Sequence, residues 1–311
     1  MARMPDQHAI GFAPLTDFRW EGREFTVGSL CRVIPAPQLE WEGEEVSAAD
    51  MRRLARSSIL RMSPFTYALS ENDRSKIEGA SHWVVAERLP SDPLKTGEKV
   101  NLFQLCLWFA VPTRTRVELR FEFASDHFGI VRCLDQFEWN KEDVCDAVET
   151  EHLEQASRFA DGIVRLRRDG RVWSALMHTL AGCTSHHWQD AFVPFCAATE
   201  AILVYSRKRG IMERLAKSLA CLTERDGSSR DGVYRQFCRL YGVRSDIMHA
   251  RKRARANAGQ NLADLAEISG MLRALWRAVL PSPKAVDALE KSDRDREKFF
   301  TEVEKGYQAP R

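Results

Sequence analysis

The pattern of hydrophobic and polar positions changes about halfway along the chain. Up to residue 124 it is typical of strands, with short apolar segments that either alternate with polar residues or run uninterrupted. Residues 117–123 alternate strictly, which predicts a strand with one solvated face. Residues 101–111 are almost entirely apolar, and we interpret them as a strand covered on both faces. The two segments are predicted to form an antiparallel hairpin, with two parallel neighbours as the alternative.

The remaining N-terminal segments give weaker patterns. Residues 18–27 are rich in aromatic and β-branched residues and predict irregular β-structure. Residues 51–60 allow a short helix with Ser47 as its N-cap. Residues 72–98 are interpreted as a loop of mixed charge that contains one short strand, residues 83–86.

From about residue 139 the apolar period becomes 3.6, which predicts helices. Their expected ranges are 144–166, 171–180, 188–206, 211–222, 233–253 and 261–280. Short links between them predict an up-and-down bundle. The fold class is therefore α+β, with an N-terminal mixed domain (1–148), an all-α bundle (149–282) and a charged helical tail (283–311). The tail is expected to pack back on the bundle or to form a dimer contact.

Composition excludes several classes of protein. The 311 residues are 44% hydrophobic and 29% charged, which is typical of a folded globular chain. The longest apolar run is about half of what a membrane span needs, and the first residues show no secretion signal, so we expect a cytoplasmic protein without a membrane partner. Most of the eight widely spaced cysteines sit inside apolar patterns and are expected to be buried and reduced. A zinc site at Cys183, His186 and His187 is a minor alternative, because the spacing matches no standard ligand pattern.

Positive charge is concentrated in one segment. The net charge is only +2, yet residues 207–255 hold 14 Lys/Arg against 5 Asp/Glu. Such a cationic segment predicts a phosphate-bearing partner. The alternative is a solvated helix face whose charges the fold neutralises with acids from elsewhere.

The residues with the clearest catalytic potential lie inside this segment. Arg244 and His249 are separated by four residues, and Ser245 precedes His249 by about one helical turn. A histidine can move a proton near neutral pH, and an arginine can stabilise charge on phosphate oxygens, so the pair suits metal-free transesterification of RNA. A two-fold dimer that apposes two such helices would create one composite pocket. The alternative is a surface arginine with a capped or buried structural histidine.

The residues around this pair resemble the HEPN superfamily, in particular its Apea-like branch. The resemblance covers roughly residues 150–280 and rests on Glu200, on the alanine-rich helix with Ala216 and Ala220, and on a motif that consists of Tyr241, Arg244, Ser245 and His249. It implies a dimeric helical bundle that acts as a metal-independent endoribonuclease in toxin or anti-phage defence, without a cofactor. Where the family usually has Gly after the histidine, this chain has Ala250.

The resemblance also suggests roles for individual residues. Arg244 and His249 would be the active pair, with Ser245 and Glu200 orienting them. Glu200 lies in an apolar helix, where a carboxylate needs a partner such as Arg244; the alternative is a partly exposed position without a role. Tyr241 is predicted to bind RNA, and the charge of the basic run Arg251, Lys252, Arg253 and Arg255 predicts the same for that run. The alternative for part of the run is the preference for positive charge at a helix C-terminus.

Two further expectations concern partners and activity. Some HEPN proteins have lost catalysis, so a non-catalytic module that binds RNA, a nucleotide or a protein is the second hypothesis. For the N-terminal domain we expect a sensing or specificity role, with a regulatory ligand or a phage protein as partner.

Overall fold

The computed structural model describes residues 9–36, 38–40, 59–61, 70–124, 127–132, 145–205, 210–249 and 258–308. The chain divides into two compact units. The sheet unit comprises residues 1–136 and 144–161, and the helical unit comprises residues 137–143 and 162–311. No helix within the described ranges is both long and apolar enough to cross a membrane.

The sheet unit contains a mixed α+β fold. Within the described residues its main sheet has six antiparallel strands in the order β2-β3-β6-β1-β7-β8. These are β1 (Ala9–Pro14), β2 (Phe25–Val27), β3 (Cys31–Pro35), β6 (His82–Arg88), β7 (Leu119–Ala124) and β8 (His127–Arg132). A separate parallel pair consists of β4 (Gln38–Glu40) and β5 (Ile59–Arg61).

The predicted strands at 83–86 and 117–123 are confirmed as β6 and β7, but the partner predicted for β7 is wrong. Residues 101–111 do not form a strand, because Thr96–Ala110 is a helix, α2. The antiparallel hairpin is formed instead by β7 and β8, and β7 also pairs with β1. A run that is apolar on all sides carries no period, and its length of more than ten residues favours a buried helix over a strand.

Helix α2 is enclosed on almost every side and packs on β1, β3 and β6. Its first turn is closed by Glu98, whose carboxylate accepts a 2.8 Å hydrogen bond from the backbone N–H of Lys95. The buried Gln104 is satisfied because its side-chain oxygen accepts from the backbone N–H of Val117, at 3.0 Å. The helix therefore covers one face of the sheet without an unpaired amide oxygen.

Two other expectations for the sheet unit need correction. The predicted loop at 72–81 contains a helix, α1 (Glu71–Gly79), whose N-cap Ser70 and third residue Asp73 form a reciprocal capping box. In the segment 51–60, where a helix was expected, Ile59 and Leu60 belong to strand β5. The rest of that segment, and Ser47, lie outside the described residues.

Eight helices follow the sheet within the described residues, and all of the helical segments expected there are confirmed with shifted ends. They are α3 (Thr150–Val164), α4 (Arg171–Cys183), α5 (Trp188–Leu203), α6 (Ile211–Thr223), α7 (Gly227–Met248), α8 (Ala258–Val279), α9 (Pro283–Glu290) and α10 (Asp293–Val303). The first twelve residues of α3 group with the sheet unit. The other helices belong to the helical unit.

Helix α5 is the centre of the helical unit and packs against α4, α6, α7 and α8. It is helical through Pro194, which has no N–H to donate to the carbonyl of Asp190. The hydroxyl of Ser185 lies 3.1 Å from that carbonyl and 2.7 Å from the carbonyl of Ala181, and its one hydrogen is shared between them. The helix remains continuous through Pro194 and includes Glu200, near its C-terminal end.

The C-terminal helices pack back on the helical unit. Arg296 of α10 is fully buried and donates to the carbonyls of Ala201 and Ile202, at 3.2 and 2.7 Å. Burial, with a smaller contribution from Arg171, lowers the pKa of Arg296 to about 10. The ring of Phe300 stacks on Tyr205, with 4.9 Å between centroids. Of the two expectations for the tail, packing on the bundle is therefore observed.

Candidate functional site

The predicted motif lies at the C-terminal end of α7. Arg244 and Ser245 are in its last turns, and His249 is the C-cap residue rather than a helical one. The backbone N–H of His249 still donates to the carbonyl of Ser245, at 3.0 Å. The helix was expected to continue to residue 253, but the described helix ends at Met248. Residues 250–257 are outside the described ranges, so the predicted RNA-binding residues Arg251, Lys252, Arg253 and Arg255 are not placed.

Glu200 and Arg244 form an ion pair between α5 and α7. Nη2 of Arg244 lies 3.1 Å from Oε1 and 3.3 Å from Oε2 of Glu200. Both side chains are partly buried, with 27% of Arg244 and 22% of Glu200 exposed. The predicted pairing of these two residues is confirmed. It fixes one end of the guanidinium and gives the carboxylate a charged partner, although Oε1 of Glu200 accepts no hydrogen bond from the described residues.

Tyr241 completes this cluster. The guanidinium carbon of Arg244 lies 5.3 Å from the centre of its ring, and its hydroxyl is close enough to the Glu200 carboxylate for that charge to act on it. Burial, followed by the negative charge of Glu200, raises the pKa of Tyr241 to about 12. Tyr241 was predicted as an RNA contact, whereas its described contacts are with Glu200 and Arg244.

The guanidinium of Arg244 is only partly used by these contacts. Glu200 is paired with Nη2, and Nε has no hydrogen-bond partner among the described residues although it is buried. An arginine fork can bind two oxygens at once. Part of its capacity is therefore left for an additional acceptor such as a phosphate oxygen.

His249 and its neighbour Met248 are both exposed, and 55% of Met248 is accessible. No part of the described chain hydrogen-bonds to the imidazole of His249. It is thus not the buried histidine that the structural alternative expects. An imidazole in this position is open to a ligand or to a second copy of the chain.

The cationic segment is partly neutralised by acids from other helices. Arg239 forms ion pairs with the fully buried Asp264, at 2.6 Å, and with Glu267. Lys217 lies 3.4 Å from Glu304. The fold therefore supplies the compensating acids that the alternative interpretation expects, at least for these residues. The buried partner Asp264 was not singled out in the sequence, because an acid in an amphipathic helix gives no sign of burial.

The possible zinc ligands are not assembled. Cys183 is buried, and burial raises its pKa, while His186 and His187 are exposed. Within the described ranges no three His, Cys, Asp or Glu side chains are grouped closely enough to hold a metal ion.

Comparisons of the chain with family models, with curated proteins and with solved structures find no match in any of the three. The resemblance to the HEPN superfamily therefore rests on the residues quoted from the sequence and stays a prediction. The functional argument depends on the side chains of α5 and α7.

Proposed function

We propose that the protein is a metal-independent endoribonuclease of HEPN type, which acts as a homodimer in a toxin or anti-phage defence role. The observation that carries this proposal is the pair of side chains at the end of α7. The imidazole of His249 is exposed. The guanidinium of Arg244 is paired with Glu200 and keeps part of its hydrogen-bonding capacity free. This combination supplies a proton carrier and a fixed positive charge on one stretch of chain.

The reaction is a transesterification within the RNA backbone. One imidazole accepts the proton of the 2′-hydroxyl as its oxygen forms a bond to the adjacent phosphorus. The bond between phosphorus and the 5′-oxygen breaks, and an imidazolium donates a proton to that leaving oxygen. Arg244 stabilises the charge on the non-bridging oxygens, and Glu200 and Tyr241 keep its guanidinium in place. The products are a 2′,3′-cyclic phosphate and a 5′-hydroxyl.

A homodimer would supply the two histidines that this scheme uses. One protomer offers one imidazole at the end of α7, while proton removal and proton donation are most efficient from two groups. An isologous two-fold contact between the ends of α7 would place two copies of Arg244 and His249 in one pocket. The exposed side chain of Met248, next to His249, gives this end of the helix an apolar surface suited to such a contact.

The test is cleavage of total RNA by the purified protein in EDTA, with His249→Ala and Arg244→Ala beside the wild type. Two matched controls are His178→Ala, an exposed histidine of α4, and Arg235→Ala, an exposed arginine of α7. We expect the wild type and both controls to leave 2′,3′-cyclic phosphate ends, and both site variants to lose cleavage by at least about 100-fold. Equal cleavage by all five proteins would contradict the proposal.

A non-catalytic RNA-binding module is the second candidate function. It is favoured by the engagement of Arg244 with Glu200 and Tyr241, which also serves to join α5 and α7. In that case the wild type would bind RNA in a salt-dependent manner and leave it intact, with and without EDTA.

A further inference from the structure

A cavity in the sheet unit lies where the N-terminus of α2 meets the sheet. Its volume is about 370 Å³, within the range of small-molecule sites. It is lined by Ala9, Arg88, Lys95, Thr96, Gly97, Glu98, Asn101, Arg120 and Glu122. The proposed nuclease site makes no use of any of these residues. We propose that this cavity binds a small molecule that carries a phosphomonoester group.

Three cationic side chains reach the cavity from different elements. Arg88 ends β6, Arg120 belongs to β7, and Lys95 precedes α2. Arg120 and Glu122 are two residues apart in β7 and therefore share a face of the sheet. That face is the one covered by α2. In the sheet, Gly11 of β1 pairs with Glu122 of β7, and a Cβ added at Gly11 would lie 3.0 Å from Cβ of Thr96 in the first turn of α2.

The guanidinium of Arg120 lies directly against the first turn of α2. A Cβ added at Gly97 would be 2.5 Å from its Cζ atom, so only glycine allows this approach. The N-terminus of a helix carries partial positive charge and favours anions. A cation pressed against it is therefore in an unfavourable place unless negative charge lies nearby.

Two carboxylates, Glu98 and Glu122, line the same cavity. Glu122 accepts from the hydroxyl of Thr96, at 2.9 Å, and lies 2.8 Å from Nε of Arg120. The carboxylate of Glu98 accepts from the backbone N–H of Lys95. Both carboxylates of the cavity therefore already have partners.

Several hydrogen-bond donors that line the cavity have no acceptor among the described residues. Among the described residues, nothing accepts from the two terminal nitrogens of Arg120 or from the backbone N–H groups of Thr96 and Gly97. Backbone N–H groups of a first helical turn together with an arginine fork are the donors that bind phosphate oxygens in proteins. The surrounding Asn101 and the two carboxylates offer partners for hydroxyl or amino groups, so a molecule of mononucleotide size suits the lining and the volume.

Binding is tested by isothermal titration calorimetry of the full chain with AMP, inorganic phosphate and adenosine as probes. We expect AMP to bind, inorganic phosphate to compete with it, and adenosine to bind at least about tenfold more weakly than AMP. Arg120→Gln and Arg88→Gln should each weaken AMP binding by about tenfold or more. Arg114→Gln removes the same charge from an exposed position outside the cavity and should bind like the wild type.

Thermal melts of each variant separate loss of binding from loss of fold. If Arg120→Gln does not fold, Arg88→Gln at the end of its strand decides the question alone. The proposal is overturned if neither AMP nor phosphate binds at millimolar concentration, if adenosine binds as tightly as AMP, or if the folded variants bind AMP like the wild type. RNA cleavage is not a readout, so the outcome is independent of the proposed nuclease.

Discussion

At the scale of single residues, the described site depends on how one carboxylate is shared. Glu200 pairs with Arg244, whose guanidinium also lies on the ring of Tyr241, so two residues of α7 are linked to α5 through one side chain. A carboxylate in an apolar helix indicates in the sequence that a partner is needed. The contact of Tyr241 with Glu200 could not be read from the sequence, since it depends on which face of α7 is turned towards α5.

Glu200→Gln keeps the shape of the side chain and removes its charge. We expect the free energy of unfolding to fall by about 1 kcal/mol, because the ion pair is partly exposed and screened by solvent. RNA cleavage should fall as well, since Arg244 is then held less firmly. Chemical denaturation and RNA cleavage assays measure the two effects. Glu213→Gln, at an exposed position of α6, is the control and should change neither.

Tyr241 predicts a dependence on alkaline pH. Its pKa is raised from 10.0 to about 12, so folding favours the neutral phenol. This contribution to stability is fully present below pH 10 and is lost as the pH rises from 10 to 12. Titration of absorbance at 295 nm should show one phenol with a pKa near 12 that is missing in Tyr241→Phe. If the phenol that is missing in Tyr241→Phe titrates near pH 10 instead, the described environment of Tyr241 is incorrect.

At the scale of elements, the sequence predicts helices better where one face is polar. Helices α4 to α8 alternate apolar and polar positions with a period of 3.6, and each was predicted within several residues of its ends. Helix α2 has no polar face because the sheet and its neighbours enclose it, so its run of apolar residues was mistaken for a strand. Helix α1 was missed because it has almost no apolar face. Only Asp73 and Ile77 of its nine residues are buried.

The start of α7 gives a prediction at acidic pH. The N-cap Asp226 accepts hydrogen bonds from the backbone N–H of Ser229 and the hydroxyl of Ser228, at 2.9 and 2.8 Å. These bonds lower its pKa, so its contribution to stability is present above the unfolded value near 3.9 and is lost as the pH falls through the folded pKa. Asp226→Ala should therefore lower the Tm by a few degrees at pH 7, and the difference should shrink progressively below pH 4.

Calorimetry of both proteins from pH 2 to pH 7 measures this difference. Asp287→Ala replaces an exposed aspartate within α9 and serves as a control with no capping role. A constant difference in Tm across the whole range would mean that the charge of Asp226 is not what stabilises the helix.

At the scale of the whole molecule, the α+β character and the helical C-terminal half follow from the periodicity of the sequence. The strand order does not, because β6 and β7 pair with β1 across long stretches of chain that no local pattern specifies. The placement of the cavity at the start of α2 could not be foreseen either, since it requires that order and the correct assignment of α2. What could be predicted of the candidate site was its residue content rather than its geometry.

A shared dimer pocket makes a prediction for mixtures of active and inactive protein. In the proposed pocket both copies of His249 act together, so a dimer of one wild-type and one His249→Ala protomer lacks one of the two imidazoles. After equal amounts of the two proteins are mixed and allowed to exchange, about a quarter of the dimers are wild-type homodimers. We therefore expect about a quarter of the cleavage shown by the same total amount of wild type. A fall to only about half would mean that each protomer acts on its own.

The buried guanidinium of Arg296 has a consequence for how the protein could be inactivated. It binds the carbonyls of Ala201 and Ile202, which directly follow Glu200 in α5. Lys291 and Ser292, between α9 and α10, are exposed. A protease that cuts after Lys291 would separate the helix that carries Arg296 from the rest of the chain and weaken the turn that presents Glu200. One cut near the C-terminus would thus weaken the site of the proposed nuclease without touching Arg244 or His249.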